Sequence, residues 1–257
     1  MDEETRVLKD VFGESSESEI DTPQSQPAMN YSWERLDEIN GLWICRGFIQ
    51  PERQSSLLSA IEQEGWFTKA SFNQAMRFGD LPEWAVELCG LIRDVVCLYD
   101  FIHEDNCVST QNAKCKEEPT PLAPDLLWRE PLFDQLIVNA YQPGEGICAH
   151  VDLMRFEDGI AIISLESSCV MHFTLVREPS SSSKNAYENV DEDAGVFRDM
   201  CVPFLLMPGD LVLMSGEARY LWKHEINRKP GFQMWKGQEI EQHRRISVTL
   251  RKLCQPR

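Results

Sequence analysis

Short apolar runs separated by turn residues dominate the second half of this chain. Leu136-Ile137-Val138, Ile160 to Leu165, Val170 to Val176, Phe204 to Met207, Leu211 to Met214 and Ile246 to Leu250 are rich in β-branched residues and too short for buried helices, so they read as strands. Pro208-Gly209-Asp210 and Ser215-Gly216-Glu217 supply turns between them. Upstream, Leu42 to Ile49 reads as a further strand. Pro51-Glu52 followed by Leu57, Leu58 and Ile61 reads as a helix starting at proline, and Trp84 to Val96 as a second helix carrying Leu88, Leu91, Ile92 and Val95 at helical spacing. Helices followed by closely spaced short strands predict a mainly β, α+β fold: an antiparallel double sheet or jelly roll with helices packed outside it. Barrel and sandwich both satisfy this pattern.

Length and composition allow one domain plus tails: 257 residues, 42% hydrophobic, with seven tryptophans, can bury a sizeable core. Residues 1–30 carry eight acids and two bases, are poor in aromatics, and are expected to form an acidic disordered tail ahead of a domain over 31–257. Polar stretches at about 103–125 and 178–195 read as surface insertions, the second holding Ser180 to Ser183 and the acidic run Asp191-Glu192-Asp193. Of the net charge of −17, the tail accounts for −6, leaving about −11 on the body and no basic stripe. No stretch approaches the roughly 18 apolar residues of a membrane span, and the acidic start lacks the apolar run of a secretory signal. Nine cysteines, an odd number with no CxxC pair, fit reduced thiols and a cytoplasmic or nuclear location.

Two stretches far apart carry the chemistry. In His150-Val151-Asp152 the outer residues are i and i+2, so an extended backbone turns both to one side, as a shared metal requires. His224 ends the aromatic-rich stretch Gly216 to Ile226, which reads as a strand. Two imidazoles and a carboxylate leave open positions that suit Fe(II), although a catalytic zinc could use the same three ligands. Arg245 to Arg251 alternates strictly, with Arg245, Ser247, Thr249 and Arg251 on one face and Ile246, Val248 and Leu250 on the other. By periodicity alone this is a half-exposed strand with its polar side in water. Two arginines near a metal point instead to a dicarboxylate cosubstrate held by guanidinium contacts, and they favour iron. Asn139 and Tyr141, also i and i+2, can face the same cosubstrate. Among the other histidines, His172 reads as a core or supporting residue, and His103 and His243 as peripheral. No side chain beyond the metal centre is needed as a nucleophile.

The order Asn139-x-Tyr141-x-Pro143-Gly144, His150-x-Asp152, Gly216-x-x-Arg219-Tyr220-x-x-x-His224 and Arg245-x5-Arg251 resembles the AlkB family of Fe(II)/2-oxoglutarate dioxygenases, loosely over residues 40 to 100 and closely over 133 to 254. The resemblance implies a double-stranded β-helix, Fe(II) held by His150, Asp152 and His224, and 2-oxoglutarate held by Asn139, Tyr141 and Arg245, with Arg251 near its metal-chelating end. It also implies oxidative N-demethylation of alkylated nucleic-acid bases, releasing formaldehyde, succinate and carbon dioxide. Phe72 to Trp84 is similar to the family's substrate-covering lid, with Gln74, Met76, Arg77 and Phe78 as its contacts; the same cluster would also serve to cap the core. The acidic surface leaves a basic protein substrate, hydroxylated or demethylated, as the alternative to methylated nucleic acid, and a binding protein of the same fold as a third reading.

Overall fold

The computed structural model describes residues 31–69, 72–107, 119–176 and 200–255. The expected acidic tail, the insertion at 178–195 and residues 108–118 of that at 103–125 lie outside them. Strands β1 (Ser32–Arg35), β2 (Leu42–Arg46) and β3 (Gln74–Phe78) precede β4 (Gln135–Tyr141), β5 (Ile147–His150), β6 (Ile160–Leu165) and β7 (Cys169–Leu175). After these come β8 (Cys201–Leu206), β9 (Leu211–Met214), β10 (Trp222–Ile226), the short pair β11 (Met234–Trp235) and β12 (Gln238–Glu239), and β13 (Arg245–Arg251). The helices are α1 (Pro51–Gln63), α2 (Glu83–Cys107), α3 (Pro124–Leu127) and α4 (Gly216–Tyr220).

A seven-stranded sheet in the order β1-β2-β9-β6-β13-β4-β3 faces a four-stranded sheet in the order β5-β10-β7-β8, and the pairings are antiparallel. From β4 to β10 the chain crosses repeatedly between them, with β4, β6 and β9 in the large sheet and β5, β7, β8 and β10 in the small one. This is the double-stranded β-helix, and it decides between barrel and sandwich for a two-sheet jelly roll.

Two cores explain the apolar runs. On its outer face the large sheet presents Val138, Ala161, Ile163, Leu213, Ile246, Val248 and Leu250 to Leu57 and Ile61 of α1 and to Leu88, Ile92 and Val95 of α2. On its inner face Ile44, Ile160, Ile162 and Val212 meet Met171, Phe173, Phe204 and Trp222 of the small sheet. A strand covered on both sides has no polar face to offer, which is why all six residues of β6 are buried.

Several elements differ from the sequence pattern for visible reasons. Helix α2 continues past Val96 to Cys107 because residues 91–107 hold neither glycine nor proline to stop it. Strand β2 ends at Arg46, where Gly47 turns into the left-handed region at φ +59°. Strand β8 starts at Cys201 and accommodates Pro203 because it is the edge strand of its sheet. The stretch leading to His224 is a helical turn, α4, before it becomes β10. The expected lid is, over Gln74–Phe78, an edge strand hydrogen-bonded to β4. Strand β13 is buried at all seven positions, so its polar face lies between the sheets and not in water.

Strand β5 is held to β10 by close backbone approach: a Cβ on Gly146 would sit 1.9 Å from the Ile226 carbonyl oxygen. Gly146→Ala should therefore cost about 1–3 kcal/mol by overpacking. Gly90→Ala, on the exposed face of α2 with nothing within 4 Å of the added carbon, should instead stabilise by up to about 1 kcal/mol. Urea denaturation of the two variants checks the contrast, and equal effects would contradict it.

Candidate metal and cosubstrate site

The site forms where β5 and β10 pair, since their register sets His150 opposite His224. The imidazole rings of the two lie 4.3 Å apart, and ligand atoms of His150, Asp152 and His224 all fall within 4.8 Å of one another. Each is prepared differently. His150 Nδ1 lies 2.9 Å from the Cys148 carbonyl oxygen, so Nδ1–H donates there and Nε2 keeps its lone pair. His224 stacks on Phe173, and burial, reinforced by the nearby cations and opposed by Asp152, pushes its pKa down to about 4. It is a neutral imidazole at physiological pH, the form that ligates metal.

Asp152 is buried, with one oxygen, Oδ1, paired to the Arg251 guanidinium. The other, Oδ2, is buried without a hydrogen-bond partner and lies 3.8 Å from His224 Nε2. A buried carboxylate oxygen without a partner costs on the order of 1–3 kcal/mol or more, and a divalent cation held by His150, Asp152 and His224 would remove that cost. The donor set therefore fits a metal held by two imidazoles and a carboxylate. Arg219 fixes the approach. It is 1% exposed and donates to the carbonyls of Asp152 (3.0 Å), Leu153 (2.8 Å) and Phe156 (3.2 Å), clamping the loop that carries the carboxylate.

Further along the inner face, β13 and β4 place Arg245 beside Tyr141 and Ser247 beside Asn139. Arg245, 1% exposed, donates from Nε to Ser164 Oγ at 3.0 Å, while both of its terminal nitrogens are buried and unpartnered. Its guanidinium lies 5.7 Å from the Tyr141 ring, whose hydroxyl pKa burial raises, keeping it a hydrogen-bond donor. Arg228 is also buried: its Nη1 donates to Gln142 O at 3.2 Å, and burial, reinforced by the charge of Arg245, lowers its pKa. Two unneutralised guanidiniums in one interior are stable only with an anion between or beside them. A carboxylate cosubstrate would supply it.

A match to the model of the 2OG-Fe(II) oxygenase superfamily spans residues 41–251. The chain is a 2OG-Fe(II) oxygenase. It is AlkB-like: it is 29% identical over 201 residues to tRNA (carboxymethyluridine(34)-5-O)-methyltransferase alkbh8 of Xenopus tropicalis, a match covering 72% of this chain and 25% of that protein. It is likewise 29% identical over 231 residues to the Alkylated DNA repair protein ALKBH8 homolog of Arabidopsis thaliana, covering 84% of this chain and 59% of that one. The oxygenase thus spans a quarter of the first relative and just over half of the second. Among solved structures, that of OsALKBH1 superimposes with a TM-score of 0.52 at 14% identity, covering 87% of this chain and all of that one, which places the fold. This oxygenase is a dioxygenase whose cofactors are Fe(II) and 2-oxoglutarate.

The sequence-predicted residues divide in the structure. His150, Asp152, His224 and Arg251 converge, and Arg251 is engaged by Asp152 and, at 3.4 Å, by Gln135 Oε1. Gln74 Nε2 donates to Asn139 Oδ1 at 2.7 Å, so Gln74, Met76 and Phe78 share the face of Asn139 and Gln135. Arg77 does not: it points to the opposite face, its guanidinium 4.6 Å over the Trp66 ring, because alternate residues of a strand face opposite ways. It is therefore removed from the site contacts. Sequence reasoning gave no role to Arg228, Ser164 or Arg155, and used Arg219 only as part of a spacing; their partners lie tens of residues away in the chain and no local pattern reports them.

Breaking the buried Arg251–Asp152 pair by Arg251→Met should cost about 3–5 kcal/mol in the metal-free protein, because the carboxylate is left uncompensated. A divalent metal supplies the missing positive charge, so adding one should restore more stability to the variant than to the parent. Denaturant titrations with and without metal check this; a loss below 1 kcal/mol would sink it.

Proposed function

We propose that this oxygenase demethylates N-alkylated nucleic-acid bases, with His150, Asp152 and His224 holding Fe(II) and with Asn139, Tyr141 and Arg245 holding 2-oxoglutarate, Arg251 lying near its chelating end. The observation that carries the cofactor assignment is the pairing of unmet needs: an unpartnered carboxylate oxygen facing two imidazoles, and an unpartnered guanidinium deeper in the same interior. The nucleic-acid substrate is supported by the names of the two relatives, one a tRNA methyltransferase and the other a DNA repair protein.

When bound, iron with 2-oxoglutarate and dioxygen supplies the oxidation: the cosubstrate loses carbon dioxide to give succinate, and one oxygen atom enters a substrate C–H bond. On an N-methyl group the hydroxymethyl product releases formaldehyde. The chain's own contribution is orientation. Arg251 holds Asp152 so that Oδ2 faces inward, Arg219 fixes the loop behind it, and the carbonyl of Cys148 sets the His150 tautomer. Arg245 and Tyr141 would hold the distal carboxylate of the cosubstrate, Arg245 with its two unpartnered terminal nitrogens. Met76 and Phe78 stand partly exposed on the strand that forms the rim of this face.

Asp152→Ala and His224→Ala should abolish succinate production with methylated oligonucleotides, measured by mass spectrometry; normal turnover in either would exclude the ligand assignment. Methylated basic peptides run beside the oligonucleotides decide the substrate class. Loss of one partner of a buried ion pair costs about 2–5 kcal/mol, so Arg245→Ala should raise the apparent 2-oxoglutarate constant at least tenfold while metal affinity changes little. An unchanged constant would remove Arg245 from the site.

A further inference from the structure

The mouth of the metal site is lined by side chains that neither metal nor cosubstrate needs. Leu153 and Met154, the two residues after Asp152, are 60% and 71% exposed, and Arg155 after them is exposed as well. Opposite, Phe78 is 47% exposed on the inner face of β3. These two walls meet. The Arg155 guanidinium lies 5.7 Å from the centre of the Phe78 ring and 5.0 Å from that of Phe156. The same Phe156 ring, buried, lies 5.0 Å from the guanidinium of Arg251, which pairs with Asp152. A continuous stack therefore leads from Phe78 through Arg155, Phe156 and Arg251 to the metal carboxylate.

Arg155 joins exposure to an unmet charge. In a chain of net charge −17, Arg46, Arg93, Arg129 and Arg244 each pair with a carboxylate. Among the described residues Arg155 has none. Its backbone is nevertheless pinned: its carbonyl accepts from Cys254 N at 2.9 Å, and Arg219 holds the carbonyls of Leu153 and Phe156 on either side. A fixed backbone with an unneutralised head at the opening of a site is a donor arranged for an incoming anion.

We propose that Arg155 is the substrate-anchoring residue of this oxygenase, taking a phosphate next to the base being oxidised while Phe78 stacks on the base itself. This inference rests on the nucleic-acid reading above. It requires the nucleotide to be unpaired, since a base in a duplex has both faces covered and Phe78 needs one of them. A methylated lysine or arginine side chain fits this opening poorly, because it would approach Asp152 past Arg155 with Arg251 and Arg219 behind. An acidic body with Arg155 as the exposed arginine at this opening also means few phosphate contacts, hence weak binding with a shallow dependence on salt.

The test is fluorescence anisotropy of the full chain with a labelled single-stranded oligoribonucleotide at several salt concentrations, with formaldehyde release from methylated single-stranded oligonucleotides measured alongside. Arg155→Gln should weaken binding roughly fivefold or more and reduce the slope of log affinity against log salt by about 0.7, the value for one phosphate contact on a single strand. Arg155→Lys should keep the slope. Phe78→Leu should weaken binding by roughly fivefold or more through lost stacking while the slope stays. Arg77→Gln, facing Trp66, should match the parent. If the parent oxidises the oligonucleotides and Arg155→Gln does so with the same KM and salt slope, the anchoring role fails and the nucleic-acid reading stands. If the parent oxidises only methylated basic peptides, the nucleic-acid reading fails and the anchoring role with it.

Discussion

A guanidinium enclosed between two β-sheets must find negative charge, and Arg251 finds it in Asp152. Much of the site follows from that pair. By taking Oδ1, Arg251 leaves Oδ2 without a partner, beside the imidazole of His224. Desolvating two ions in a protein interior costs several kcal/mol each, and mutual attraction offsets this only where the geometry is fixed. Here it is fixed from both sides, by Gln135 from β4 and by the loop carbonyls held by Arg219. The pair is better understood as a device for aiming a ligand than as a source of stability.

The same strand repeats the problem at its other end with a different solution. Arg245 lies as deep as Arg251, yet only its Nε has a partner, the Ser164 hydroxyl. One end of β13 is neutralised by a carboxylate of the protein and the other is not. Because β13 lies between β6 and β4 in the middle of the large sheet, neither arginine can swing out to water. Cosubstrate binding in such a site is an exchange of an unmet charge for a met one, which favours a dicarboxylate over neutral molecules of similar size.

Rigidity and exposure are divided in a way that suits the chemistry. Phe173, Phe204 and Trp222 pack the small sheet behind His224, while the residues just beyond Asp152 rise to the surface within three positions. The transition is abrupt because Arg219 and the backbone of Cys254 hold the loop at its carbonyls and leave its side chains free. Substrate-facing groups can therefore be altered with little disturbance to the ligands.

The sequence by itself determined the strands β2, β4, β6, β7, β9 and β13 and the starts of α1 and α2, and it offered His150, Asp152 and His224 as candidate ligands, while β1, β3, β11 and β12 became strands only through their partners. Apart from His224, which joins the other two ligands only by the order of motifs along the chain, the legible features depend on information one to seven residues apart: the alternation of Arg245 to Arg251, the i and i+2 spacing of His150 and Asp152, and Pro51 at a helix start. It left open whether the polar face of β13 met water or an interior, because period-two alternation is identical in both cases; only the second sheet laid over it decided. Nor did it show that Arg77 and Phe78, adjacent in the chain, serve opposite faces, a fact fixed once β3 paired with β4 in the register Phe78↔Gln135. Arg155, Arg219 and Arg228 each act on groups distant in sequence, or, for Arg155, sit beside a ring 77 positions away. Long-range pairing of charge and ring is a property of the closed double sheet, and the chain acquires it only when both sheets are in place.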